Sequence, residues 1–231
     1  MNINTNLSSF KKKHKNKKNQ IIFHKANCKS NKIIENVINN FLTKKNSFIF
    51  ESVEKRRIRG RYTIIGADPD KIWEFDMKKI YIIENNNKRI IKGSPYPFLK
   101  KLIENFNFPL PKNLPPLSSL LVGYFSYDII RYIEKIPDKC LNDLKIPDIR
   151  LMRPKTIIIH DNLLKKIYFI MNTFADEKIN NYQEYYLKQI QNIKSLKNLT
   201  FNFYYKNEIK KKYSKKIKVK SNISKKRFKK M

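Results

Sequence analysis

SFIFESVEKRRIRGRYTIIGADPDKIWEFDMKKIYIIENNNKRIIKG, residues 47–93, carries the period-two signal from which the architecture follows. Five short β-rich runs are readable in it: 47–52, 61–67, 71–76, 79–84 and 88–93. Aspartate, proline, lysine and asparagine separate them as DPD, MK and NNN, which is turn chemistry. Connections this short make neighbouring strands antiparallel, so the run is expected to be a meander.

Helical periodicity flanks the meander on both sides. Ile33, Ile34, Val37, Ile38, Phe41 and Leu42 recur at the spacing of one buried helix face over 31–44, with Ser30 or Asn31 as the cap. A short basic helix over 7–18 and a short strand at 21–23 precede it. After the meander, 95–106 suits a helix with proline in its first turn, and FPLPKNLPP (108–116) is a stiff linker. SLLVGYFSY (119–127) is almost unbroken in apolar residues and is expected to be a central strand buried on both faces, followed by an amphipathic helix over 128–136. A hairpin pairs 155–161 with 166–172, and 176–195 is an amphipathic helix. Residues 206–220 form a lysine-rich surface linker, and Ser224 caps a helix whose Ile223 and Phe228 make a hydrophobic staple. These elements amount to an α+β fold: a large, mainly antiparallel sheet with helices packed on it.

Bulk properties exclude several classes. No apolar run approaches the roughly 20 residues that span a bilayer, and no h-region follows the basic N-terminus, so a cytosolic (cytoplasmic) location with no membrane partner is expected. The formal net charge is +32, yet only nine of the 51 basic residues are arginine and the lysines are scattered. Readers of phosphate and base edges favour the arginine fork, so no nucleic-acid partner is expected. Cys28 and Cys140 form no metal spacing and read as reduced thiols. His14, His24 and His160 are isolated and read as surface or strand-end residues. No compact catalytic signature is present, and four glycines leave no phosphate-cradling loop.

One constellation invites a ligand. Phe50, Glu51 and Ser52 close an apolar strand, and RRIRGRYT (56–63) follows. A carboxylate, a hydroxyl and guanidinium donors could surround the ammonium and carboxylate of an amino acid. The bland alternative is a strand end followed by a solvated basic turn.

Three ordered stretches carry a family resemblance. FIFESVEKRRIRGRYTIIGADPDKIWEF (48–75) resembles the N-terminal region of anthranilate synthase component I, of the chorismate-binding enzyme family. LPPLSSLLVGYFSYDIIRYIEKIP (114–137) and IPDIRLMRPKTIIIHDN (146–162) resemble the family's next segments, and SNISKKRF (221–228) its lead into the chorismate-binding region. Ser126 stands where glycine is commoner.

The resemblance implies a regulatory domain over 1–205, then a linker and the start of a catalytic domain over 206–231. It implies a lyase of tryptophan biosynthesis that converts chorismate and ammonia to anthranilate and pyruvate with Mg²⁺. Ammonia would come from a glutamine amidotransferase subunit, component II. Chorismate and Mg²⁺ groups are expected beyond Met231, leaving no catalytic or metal residue here and a portion inactive alone. The family's allosteric L-tryptophan contact maps onto Ser52, with Glu51 and Phe50 in the same element and Arg61 in the following basic segment. The alternatives are aminodeoxychorismate synthase component I, of folate synthesis, and a stand-alone module that binds an aromatic amino acid.

Overall fold

The computed structural model describes residues 1–51, 60–76, 79–106, 108–137, 144–201 and 221–230. In chain order its elements are α1 (Leu7–Lys15), β1 (Gln20–Asn27), α2 (Asn31–Leu42), β2 (Phe48–Phe50), β3 (Tyr62–Asp76), β4 (Lys79–Glu84), β5 (Asn87–Ile91) and α3 (Pro95–Asn105). There follow β6 (Val122–Phe125), a 3₁₀ turn (Tyr127–Tyr132), β7 (Ile149–Asp161), β8 (Lys166–Thr173), α4 (Tyr182–Phe201) and α5 (Lys225–Phe228). The eight strands make one sheet in the order β1-β8-β7-β3-β4-β5, with β2 on β3 and β6 on β7, and every pairing is antiparallel.

Two long strands form the spine. β3 and β7 pair from Tyr62 opposite Asp161 to Phe75 opposite Ile149. The outer edge of β3 is shared by β2 at one end and β4 at the other, and the outer edge of β7 by β8 and β6. The expected turn at DPD is absent: 61–67 and 71–76 are one continuous strand. The register shifts between Pro69 and Lys71, and Asp68 has φ +53. A left-handed aspartate beside a proline is bulge chemistry as well as turn chemistry, and the facing strand, long enough to pair with both halves, selects the bulge. Asp68 is held there by the Thr156 hydroxyl, which donates to its carboxylate at 2.9 Å.

That bulge has a packing consequence. Paired residues of an antiparallel ladder point to the same side. Ile64 faces with Ile159, but beyond the bulge Trp73 faces with Leu151 and Phe75 with Ile149. One extra residue therefore keeps even-numbered β3 side chains at one end and odd-numbered ones at the other on a common face. That face is covered by Phe108, Leu114 and Leu120 at one end and by α3 (Phe98, Leu99, Leu102) with Leu121 at the other. The opposite face carries α1, α2 and α4, with Phe10, Phe41, Phe169 and Ile193 fully covered between them and the sheet.

The local readings hold where local chemistry suffices. Asn85 and Asn86, at φ +50 and +64, turn β4 into β5 as a tight hairpin loop requires. Pro95 sits in the first turn of α3, and Ser224 accepts from the Arg227 N–H. The staple does not close over α5, since Phe228 stays 72% exposed. The run 119–127 is not a central strand. Only 122–125 pairs, on one side, and Gly123, Tyr124 and Phe125 are exposed. Its leucines are spent on two different clusters, Leu120 at one end of the sheet face and Leu121 at the other. The expected helix after it is a 3₁₀ turn, and α4 begins six residues later than its periodicity suggested. The expected linker at 206–220 lies outside the described residues.

Candidate functional site

The strand end singled out by the sequence is held in place by a glycine. Phe48 of β2 lies opposite Gly66 of β3, and a Cβ built on Gly66 would stand 2.2 Å from the Phe48 ring. The missing side chain is what lets the ring lie over the strand. Phe48 in turn stacks at a tilt on Phe50, with centroids 5.1 Å apart. Phe50 is 47% exposed and Glu51 is exposed, so the strand delivers an aromatic face and a carboxylate to solvent. Ser52, the third member, lies outside the described residues, as do the arginines of 56–59.

Arg61 is engaged from within the chain. Its Nε donates to both oxygens of Asp161, at 3.0 and 3.2 Å, and its Nη2 donates to Oδ2 at 2.7 Å. Asp161 is 1% exposed and closes β7. Its Oδ1 also accepts the backbone N–H groups of Leu163 and Leu164, both at 3.0 Å, and so shapes the β7–β8 turn. Burial pushes this carboxyl up, but the Arg61 hydrogen bonds and the Leu164 and Leu163 N–H groups outweigh it and hold the group below its ordinary value of 3.8. The Arg61 guanidinium, hydrogen-bonded to that carboxylate, is raised, and it lies 4.9 Å from the centre of the Tyr62 ring. The fork the sequence offered to a ligand thus already has a bidentate partner.

Sequence reasoning placed Asp161 only at the end of a hairpin strand. The pairing of Tyr62 with Asp161 is what joins it to Arg61 across 100 residues. The available signal was that an arginine and an aspartate each bound an apolar strand run, but nothing local says those ends coincide.

The histidines are not surface residues. His14, His24 and His160 are all buried. Their partners are the Tyr182 hydroxyl, the Asn2 carbonyl and the Cys28 carbonyl. Burial holds His24 and His160 below the ordinary imidazole value. Cys28 is a free buried thiol, and Cys140 lies outside the described residues. Ser126 takes φ −71, a conformation open to any residue, so the glycine it replaces is not needed for backbone freedom there. Among the described residues no three histidine, cysteine or carboxylate groups converge as metal ligands, and no helix is long and apolar enough to cross a membrane.

An α+β domain on a bulged antiparallel sheet, with an exposed strand end and a half-buried arginine paired to a buried aspartate, is the class this chain defines. A model of the chorismate-binding enzymes matches residues 45–231, and the chain belongs to that family. It is 31% identical over 150 residues to anthranilate synthase component 1 of Acetivibrio thermocellus, covering 64% of this chain and 30% of that protein. Against the component 1 of Cereibacter sphaeroides it is 30% identical over 166 residues, covering 69% and 33%. It is also similar to a crystal structure of anthranilate synthase component I from Streptococcus pneumoniae TIGR4, at 20% identity and a TM-score of 0.48, covering 70% of this chain and 35% of that one. The chain thus spans about a third of the length of the relatives it matches.

Proposed function

We propose that this chain is the regulatory portion of an anthranilate synthase component I. Its whole enzyme converts chorismate and ammonia to anthranilate and pyruvate in the cytoplasm, with ammonia delivered by a glutamine amidotransferase partner. The observation that carries the reading is the end of β2. There an aromatic side chain and a carboxylate stand open to solvent, Ser52 being the next residue in the sequence, in a chain similar to anthranilate synthase component 1. In this reading L-tryptophan lays its indole against Phe50, its ammonium meets Glu51, and the Ser52 hydroxyl supplies a hydrogen bond. Arg61 serves the site by bracing Asp161 and the start of β3, since its fork is occupied. In this reading the Mg²⁺ and chorismate groups belong to the part of the enzyme this chain does not span, since it covers about a third of the relatives it matches. The portion alone is then inactive.

A ligand shifts an equilibrium only by its differential affinity for the two states. A tryptophan site completed by a second domain meets that condition, because domain closure changes its contacts. In the complete enzyme, Ser52→Phe is expected to raise the tryptophan concentration for half inhibition by about tenfold or more, within the usual range of allosteric coupling. Uninhibited kcat/KM for chorismate should change little. Inhibition curves that superimpose for the two proteins would remove Ser52 from the site and the reading with it.

A further inference from the structure

A concavity among the described residues lies away from the β2 end. A cavity of about 820 Å³ opens on the other half of the sheet, where β3 and β7 part company with β2 and β8. Its size falls in the range of small-molecule sites. The floor is apolar and aromatic: Trp73 and Ile82 from the sheet, Phe98 and Leu102 from α3. The Trp73 indole is nearly covered, at 4% exposure, and belongs to the same apolar cluster as Phe75 and Leu151.

The charges are not symmetrically disposed. Deep in the wall, Arg153 is tied to Asp70 and Asp176, and Lys71 reaches Asp176 at 2.5 Å and Glu84 at 3.7 Å. These cations are already compensated. Lys17 and Lys18, from the turn between α1 and β1, and Lys101, on α3, also line the cavity. All three are exposed. Asp176 is the one carboxylate among the lining residues. A neutralised wall, a flat apolar floor and three exposed lysines are complementary to one kind of molecule.

We propose that this cavity binds a small amphipathic anion, a flat aromatic ring system carrying a carboxylate, with the ring against the half-buried Phe98 and Leu102, next to Trp73, and the acid group near Lys18 and Lys101. The proposal does not rest on the tryptophan reading: it uses no residue of the β2 end and concerns the opposite half of the sheet. The ring gains the apolar contact of the floor, and the acid group stays at the rim, where lysine heads remain hydrated and its desolvation is small. Attraction at such a rim is a screened surface effect, so affinity falls with added salt.

Trp73 is the chain's single tryptophan, so its indole N–H gives one side-chain resonance that reports on the cavity floor. The test titrates the isotopically labelled full chain with 1-naphthoate and, separately, with the uncharged 1-naphthalenemethanol. Naphthoate should shift the Trp73 indole signal saturably, and the alcohol should bind about fivefold or more weakly, the difference being one screened charge interaction. The double variant Lys18→Glu, Lys101→Glu replaces two exposed side chains. It should weaken naphthoate about tenfold, by the same interaction reversed in sign, and leave the alcohol unchanged. The proposal is overturned by an indole signal that naphthoate leaves still at millimolar concentration. Equal affinity for acid and alcohol overturns it too, and that comparison needs no variant. Naphthoate binding unaffected by the charge reversal would do the same.

Discussion

At the scale of single residues, the Arg61–Asp161 pair shows what a buried carboxylate asks of its neighbours. Asp161 receives five hydrogen-bond contacts of three origins: the guanidinium and two backbone N–H groups of the following turn. Removing the arginine leaves a covered charge with only the turn to satisfy it. Arg61→Ala is therefore expected to cost about 1–3 kcal/mol at neutral pH. The pH dependence has a definite sign. The folded carboxyl lies below its ordinary value, so on acidification the unfolded chain takes up the proton first. The stabilisation is fully present above about pH 4, near the unfolded value, and is lost as pH falls below it toward the folded one. Urea unfolding followed from pH 6 downward should show a steeper acid loss in the native protein than in Arg61→Ala. Parallel curves would mean that the pair does not hold the carboxyl down.

At the scale of elements, β6 is an edge strand that depends on a glycine. A Cβ on Gly123 would lie 1.8 Å from the Arg150 carbonyl oxygen and 3.0 Å from the Leu151 Cα, all of it backbone. Unlike the Phe48 ring over Gly66, that obstacle cannot rotate away. Gly123→Ala should push β6 off β7 at a cost of about 1–3 kcal/mol, the usual penalty of forcing atoms into a filled space. Amide exchange of Val122 and Phe125 should accelerate with it. An alanine variant with native midpoint and native exchange would show that the two strands are not in such close approach. The same element explains why its sequence misleads. An unbroken apolar run reads as a strand buried on both faces, but Leu120 and Leu121 serve separate clusters and Tyr124 and Phe125 end in solvent.

At the scale of the whole molecule, charge dominates. Nineteen acidic residues face 51 basic ones, and three of the well-covered acids have arginine partners: Asp70 with Arg153, Asp161 with Arg61, Glu74 with Arg150. Most lysines are left on the surface to repel one another. Screening that repulsion stabilises the compact state. Raising NaCl from about 20 to about 500 mM is expected to raise Tm by about 2–6 °C, an order set by 1–2 kcal/mol of relieved repulsion in a chain of this length. A calorimetric Tm that falls with salt would show instead that the ion pairs outweigh the repulsion.

What the chain's own sequence determined is everything that depends on period, turn chemistry and local caps. The α+β class, the meander of β3, β4 and β5, the hairpin of β7 and β8, the α2 face and the Ser224 cap are all local in origin, and the order of three motifs indicated the family. Tertiary structure alone decided the rest. Whether DPD turns or bulges depends on the length of a strand 80 residues away. Whether 122–125 is central depends on how many neighbours it finds, and whether Arg61 is free depends on which strand end lies opposite. The cavity beside Trp73 joins residues from the α1–β1 turn, β3, α3 and β7, which no window of sequence contains. Hydrogen-bond pairing between distant segments carries no local signature, because each partner satisfies its own propensity equally well with another.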